Sequence, residues 1–307
     1  MVKTALTVND FLRRAEQLYG QRIGVIDEPD QPAESWGSLT YSEIATRARA
    51  MAAGLDALGI HHGERVAMIT QNSARLLTAF YAVSGSGRVL VPINFRLVAE
   101  EVKYIIAHSG ARILLIDPEL DEAMRDVQCE MKFVIGTQSD AALLRYGVDP
   151  SPWTPDEDAT ATINYTSGTT ARPKGVQLSH RSLWLNAATF GWQMGVDDRD
   201  VYLHTLPMFH CNGWGMTYAV TGMGGRHVVL RTIDGAEILQ FIRKDPRLSA
   251  VPVVLFTSSD SPKDRLTAMR EGAHRFIRKP SVLEEYIAIG ATLRAMLEDN
   301  VLANTLS

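Results

Sequence analysis

Apolar side chains at Ile44, Ala48, Leu55 and Leu58 fall on one stripe of a helix, and Thr40 with Glu43 supplies the capping box that starts it. Gly59 ends that helix. Continuous apolar runs at 66–69, 89–93 and 113–116 read as buried strands, separated by helical periods over 74–83 and over 97–108, the latter through Val98, Val102, Ile105 and Ile106. Strand, helix and strand in this order are βαβ architecture. Residues 117–158 are polar and rich in turn formers apart from a short VIG run, and Pro150, Pro152 and Pro155 mark a connection.

The alternation resumes beyond it. Ser179 caps a helix carrying Leu183, Leu185 and Ala188. Helices follow over 238–242, 264–271 (ended by Gly272) and 282–297, with strands over 251–256 and 276–277. The fold class expected is α/β, an open, doubly wound and mostly parallel sheet with helices on both faces. Its ligand crevice should lie beyond the carboxyl ends of the strands.

Composition removes several functions. Hydrophobic residues make up 46% and charged residues 21%, which suits a chain with a packed core, and a net charge of −4 gives no reason to expect nucleic acid. No apolar run reaches the length of a membrane span, and the first ten residues lack the basic and apolar regions of a secretory signal. Cytoplasm is the expected location. Cys129 and Cys211 stand far apart with no metal-ligand spacing, and His61-His62 sits in a glycine-flanked turn that suits solvated side chains, so no metal site is expected.

The chemistry concentrates in YTSGTTARPKG at 165–175. Thr166, Ser167, Thr169 and Thr170 offer hydroxyls, Gly168 lets backbone amides approach an anion, and Lys174 supplies a charge beside Pro173. These residues suit a polyphosphate. Lys174 precedes Gly175 rather than Ser or Thr, which excludes a Walker loop. A polar surface turn has the same composition. Lys174 is expected between a strand and the helix that Ser179 caps, where oriented amides and the helix dipole would add to its charge.

This run resembles, almost residue for residue, the phosphate-binding motif of the adenylate-forming (AMP-binding) acyl-CoA synthetases and ligases, with Ala171 where the common form has glycine. Further blocks extend the resemblance over about 1–240: LTYSEIATRARAMAAGLDALGIHHGERVAMITQN, VLVPINFRL, HTLPMFHCNGW and GGRHVVLR. The resemblance implies ATP-dependent activation of a carboxylic acid, fatty acids foremost, through an acyl-adenylate, with ATP, Mg²⁺ and CoA as cofactors. It assigns Thr166, Ser167, Gly168, Thr169, Thr170, Lys174 and Gly175 to the phosphates. It places His210 in the acyl and thiol channel, against the alternative of a histidine packed between Phe209 and Trp214.

The family's later motifs and its lid lysine find no match here, so a truncated member with impaired or lost turnover is expected. Residues 234–298 instead resemble the second half of a response-regulator receiver, with Thr257, Phe276 and Lys279 at the switch positions. A receiver's acidic pair and acceptor aspartate are absent; the acceptor would fall near His227. Lys279 is therefore expected to be a solvated strand-end lysine. The expected organisation is a hybrid, with an AMP-binding region at 1–235 and a receiver-like region at 236–307. The alternatives to an acid–thiol ligase are a nucleotide-binding remnant and a receiver-like module with a protein partner at its end.

Overall fold

In the computed structural model, residues 4–166, 172–232, 235–244, 252–257, 260–278, 289, 295 and 296 are described. The chain divides into two compact units, Met1–Arg231 and Thr232–Ser307.

The first unit opens with α1 (Asn9–Tyr19), β1 (Ile23–Ile26), β2 (Ser38–Thr40) and α2 (Tyr41–Ala57). The capping box forms as read: the Glu43 amide donates to Thr40 Oγ1, and the Glu43 carboxylate accepts from the Thr40 amide at 2.7 Å. Next come β3 (Arg65–Ile69), α3 (Ala74–Ala82), β4 (Val89–Ile93), α4 (Ala99–Ser109) and β5 (Ala111–Ile116). Then follow β6 (Met131–Val134), α5 (Asp140–Leu143), β7 (Thr160–Thr166), β8 (Lys174–Ser179), α6 (His180–Gln193) and β9 (Val201–His204). A short turn α7 (Cys211–Trp214), then α8 (Met216–Met223) and β10 (Arg226–Val229), complete the unit.

A six-stranded sheet runs β6-β5-β3-β4-β7-β8, parallel except for the edge strand β8, which is antiparallel to β7. Its central strands are buried on both faces, which is why they read as unbroken apolar runs. Val66 and Met68 face one core, formed with α2, α3 and α8. Ala67 and Ile69 face another, built on Val102, Ile105 and Ile106 of α4.

The single continuous sheet expected from the alternation is corrected. Among the described residues there are three sheets, the second being β2-β1-β10-β9, in which β1 pairs with β10 about two hundred positions later in the chain. These strands are three or four residues long, too short for periodicity to separate from loops. In the same way 117–158 contains β6 and α5, which polar composition concealed.

In the second unit, α9 (Gly235–Lys244), β11 (Val254–Thr257), α10 (Pro262–Arg270) and β12 (Arg275–Arg278) form a parallel β11–β12 pair over a small core of Leu239, Ala268 and Ala273. Thr257 ends β11, and Phe276 lies against this core. Lys279, and the helix expected over 282–297 apart from residues 289, 295 and 296, lie outside the described residues.

Candidate active site

Strands β7 and β8 form a hairpin whose register sets Thr166 opposite Lys174 and Tyr165 opposite Gly175. The motif is the connection between them. Thr166 is half-buried and the Lys174 side chain exposed, while Ser167, Gly168, Thr169 and Thr170 lie outside the described residues. The expected strand-to-helix placement of Lys174 is corrected: Lys174 opens a six-residue strand, and α6 starts only after Ser179 at its far end. At about 3.3 Å per residue that separation is roughly 16 Å, too far for the helix dipole to reach the lysine.

Because β7 runs parallel to β4, its end at Thr166 shares the carboxyl edge of the sheet with the ends of β3, β4 and β5. Gly175 keeps the hairpin tight, since a Cβ there would stand 3.0 Å from Ile163 and 3.1 Å from the Tyr165 ring. On the α4 side, Arg172 lies over the ring of Tyr104 at 5.5 Å, and Tyr104 stacks on His108. His108 Nδ1 is 2.8 Å from the Tyr165 hydroxyl. An aromatic ladder along one face of α4 thus braces both ends of the connection.

The opposite face of β7 holds the His210 segment. Asn72, after β3, receives the Met208 amide at 2.8 Å and donates to the Leu206 carbonyl at 3.0 Å. Asn164 donates to the Phe209 carbonyl at 3.1 Å. Thr162, Asn164 and Asn212 close a ring in which each donates to the next: Thr162 to Asn164 Oδ1, Asn164 to Asn212 Oδ1, and Asn212 back to Thr162 Oγ1. The segment is therefore pinned across the carboxyl edge beside the root of the motif. His210 is exposed there, so the alternative of a histidine packed between Phe209 and Trp214 is not what the fold forms. Trp214 instead meets Phe190 edge-on at 6.3 Å.

The turn after His210 is left-handed, with φ of 49° at Cys211, 50° at Asn212 and 60° at Trp214. Such angles cost L-residues about 1–2 kcal/mol each. The buried Asn212 hydrogen bonds offset that cost and keep His210 turned outward. Asn72, Asn164 and Asn212 were not singled out from sequence, although Asn72 and Asn212 lie within the resembling blocks and Asn164 directly precedes the motif.

Asp117 and Arg231 close the same edge. Arg231 donates to both Asp117 carboxylate oxygens, at 2.7 and 3.2 Å, and to Glu119 at 2.9 Å. Asp117 is fully buried and also accepts from Thr70 at 2.7 Å. Arg231 follows β10 and Asp117 follows β5, so the pair ties the two sheets together.

A mostly parallel sheet whose carboxyl edge presents the ends of the β7–β8 hairpin, with Lys174 and His210 exposed, puts the candidate site at the strand ends of an α/β fold. The AMP-binding enzyme family model matches residues 12–272, and the chain belongs to that family. It is 34% identical to an acetate–CoA ligase of Humulus lupulus over 85% of this chain and 50% of that protein. It is 36% identical to a long-chain-fatty-acid–CoA ligase of Thermus thermophilus over 75% of this chain and 44% of that protein. The chain thus spans about half the length of the curated relatives it matches. The fold is also that of a long-chain-fatty-acid–CoA ligase from Archaeoglobus fulgidus, with a TM-score of 0.74 at 22% identity, covering 95% of this chain and 62% of that one.

The family match also bears on the hybrid expected at the carboxyl end. It continues to residue 272, through α9, β11 and α10, so most of the receiver-like stretch falls inside the AMP-binding match and no second family is shown. A helix, a strand and a helix in that order are common to both families, which is why the sequence there resembled either.

Proposed function

We propose that this chain binds ATP at the β7–β8 connection and activates a carboxylic acid, fatty acids foremost, as an acyl-adenylate that a CoA thiol then consumes. The observation that carries this reading is the pinning of the exposed His210 beside the root of the phosphate motif by Asn164 and Asn212. Two chemistries, anion binding and acid or thiol access, then meet at one edge.

In the reaction a carboxylate oxygen attacks the α-phosphorus, the bond bridging to the β-phosphate breaks, and pyrophosphate leaves. A carboxylate must approach a polyanion, so positioned donors and cations supply the catalysis. Thr166, Ser167, Gly168, Thr169, Thr170 and Gly175 would hold the β- and γ-phosphates, with Lys174 offsetting their charge. His210 would line the path of the acid and the thiol. Among the described residues no group of three or more His, Cys, Asp or Glu is placed to hold a metal. A Mg²⁺ ion accompanying the nucleotide would be carried mainly by its phosphate oxygens and water. Bound there, Mg²⁺ would neutralise charge on the leaving pyrophosphate.

The test is acid-dependent ATP–pyrophosphate exchange on the folded chain, with acetate, medium-chain and long-chain acids. Exchange that disappears in Lys174→Ala supports adenylation. ATP binding without exchange for any acid would reduce the function to nucleotide binding.

A further inference from the structure

A cavity of about 640 Å³ opens beside α4. It starts at the amino-terminal ends of β3, β4 and β7, at Arg65, Val89 and Thr160, and runs along the hairpin to Tyr165 and Gly175. Its far end reaches Tyr165 and Gly175 of the motif, on the face of β7 opposite the one that holds the His210 segment.

Arg65 makes one end of this cavity basic. Its guanidinium donates to the carbonyls of Ser109 at 2.8 Å, Gly110 at 2.9 Å and Gly63 at 3.3 Å. Carbonyls orient the group without neutralising it, and among the described residues no carboxylate pairs with Arg65. Of its five N–H groups, two are left without an acceptor among the described residues. The placement is specific: Gly110 has φ +65°, and a Cβ there would stand 2.7 Å from Arg65 Nη2.

The remaining walls are flat and mildly polar. Trp153 lies against Gly87, where a Cβ would meet the indole at 2.5 Å, and His108 and Tyr165 add two more rings. Thr160 and Gln177, bonded to each other at 2.8 Å, supply polar groups at the β8 side. Asp156 also lines the cavity, and its charge opposes a dianion.

We propose that this cavity is a binding site for a small aromatic carboxylate, its carboxylate paired with Arg65 and its ring held among Trp153, His108 and Tyr165. A monoanion satisfies the one uncompensated guanidinium, and the planar walls favour a planar ring. The site adjoins the proposed phosphate site at Gly175, and benzoate binding without nucleotide separates its failure from failure of the adenylation reading.

The experiment is calorimetric titration of the full chain with benzoate, in parallel with phenyl phosphate and cyclohexanecarboxylate. Saturable benzoate binding is expected with a Kd below about 1 mM. Arg65→Gln should weaken it by about tenfold or more, as loss of a charge-assisted contact requires. Gln177→Trp should abolish it by filling the cavity from the exposed edge strand. Thermal melts establish folding of each variant, and Gln177→Trp carries the test should Arg65→Gln not melt cooperatively. The proposal is overturned by absence of saturable binding to folded protein, or by binding that Gln177→Trp leaves intact. Phenyl phosphate or cyclohexanecarboxylate binding as tightly as benzoate would overturn the assignment to an aromatic carboxylate.

Discussion

Asn164 of β7 and Asn212 of the left-handed turn hold each other at 2.9 Å in the buried seam between the phosphate motif and the His210 segment. Asn164 also donates to the Phe209 carbonyl, and Asn212, at a φ of 50°, is held further by its bond to Thr162. Replacing Asn164 by Ala takes away the donor to Asn212 Oδ1 and to the Phe209 carbonyl, and the acceptor of the Thr162 hydroxyl proton. The expected cost is about 2–4 kcal/mol of unfolding free energy, since buried polar groups without partners lose their solvation. Urea denaturation measures it, and acid-dependent exchange should fall further than ATP affinity. Unchanged stability would show that the ring of hydrogen bonds does not hold the turn.

Lys174 poses the opposite case, because its side chain is exposed on the first residue of β8. Lys174→Ala should leave stability within about 0.5 kcal/mol, as surface substitutions do. ATP affinity should nevertheless drop by about tenfold or more, through loss of a charge-assisted phosphate contact. Equal ATP affinity in wild type and variant, measured by calorimetry, would remove Lys174 from the site.

Arg231→Met isolates the tie between the two sheets. It leaves a fully buried Asp117 carboxylate with only neutral partners nearby, and removal of one member of a buried pair costs about 3–5 kcal/mol. The double variant Arg231→Met with Asp117→Asn should recover a large part of that loss, since the uncompensated charge is gone. Additive losses in the double-mutant cycle would mean that the two residues do not act as a pair.

The pH dependence of stability should come from the buried histidines, His180, which burial lowers to about 4, together with His204 and His227. His204 and His227 stack with Nε2 of one 2.8 Å from Nδ1 of the other, and His227 also meets Thr221 at 2.9 Å. Burial pushes His204 down to about 3, and burial together with the neighbouring His204 holds His227 well below the usual imidazole range. All three are therefore neutral in the fold, while the unfolded chain takes up protons below about pH 6.5. The stabilisation is fully present above that value and is lost as pH falls from about 6.5 toward 3, at up to about 1.4 kcal/mol per unit for each histidine. Chemical denaturation between pH 7.5 and 5 checks this, and His227→Asn should flatten the slope. A slope unchanged in that variant would place the dependence outside the His204–His227 pair.

The local code of the chain was enough to assign its family and most of its βαβ units. Capping by Thr40, the apolar stripe of α4 and the unbroken runs at 66–69 and 113–116 depend on neighbours a few residues apart, which sequence displays directly. Three-dimensional pairing settled the rest. The short strands β1 and β10 gain meaning only from each other, and the hairpin register of β7 and β8 moved Lys174 away from the helix terminus that its sequence neighbourhood suggested. The ring of Thr162, Asn164 and Asn212 likewise spans about fifty residues of chain. Single polar residues carry no periodicity, so their partners emerge only when distant segments are brought into one buried, low-dielectric seam where every donor must find an acceptor.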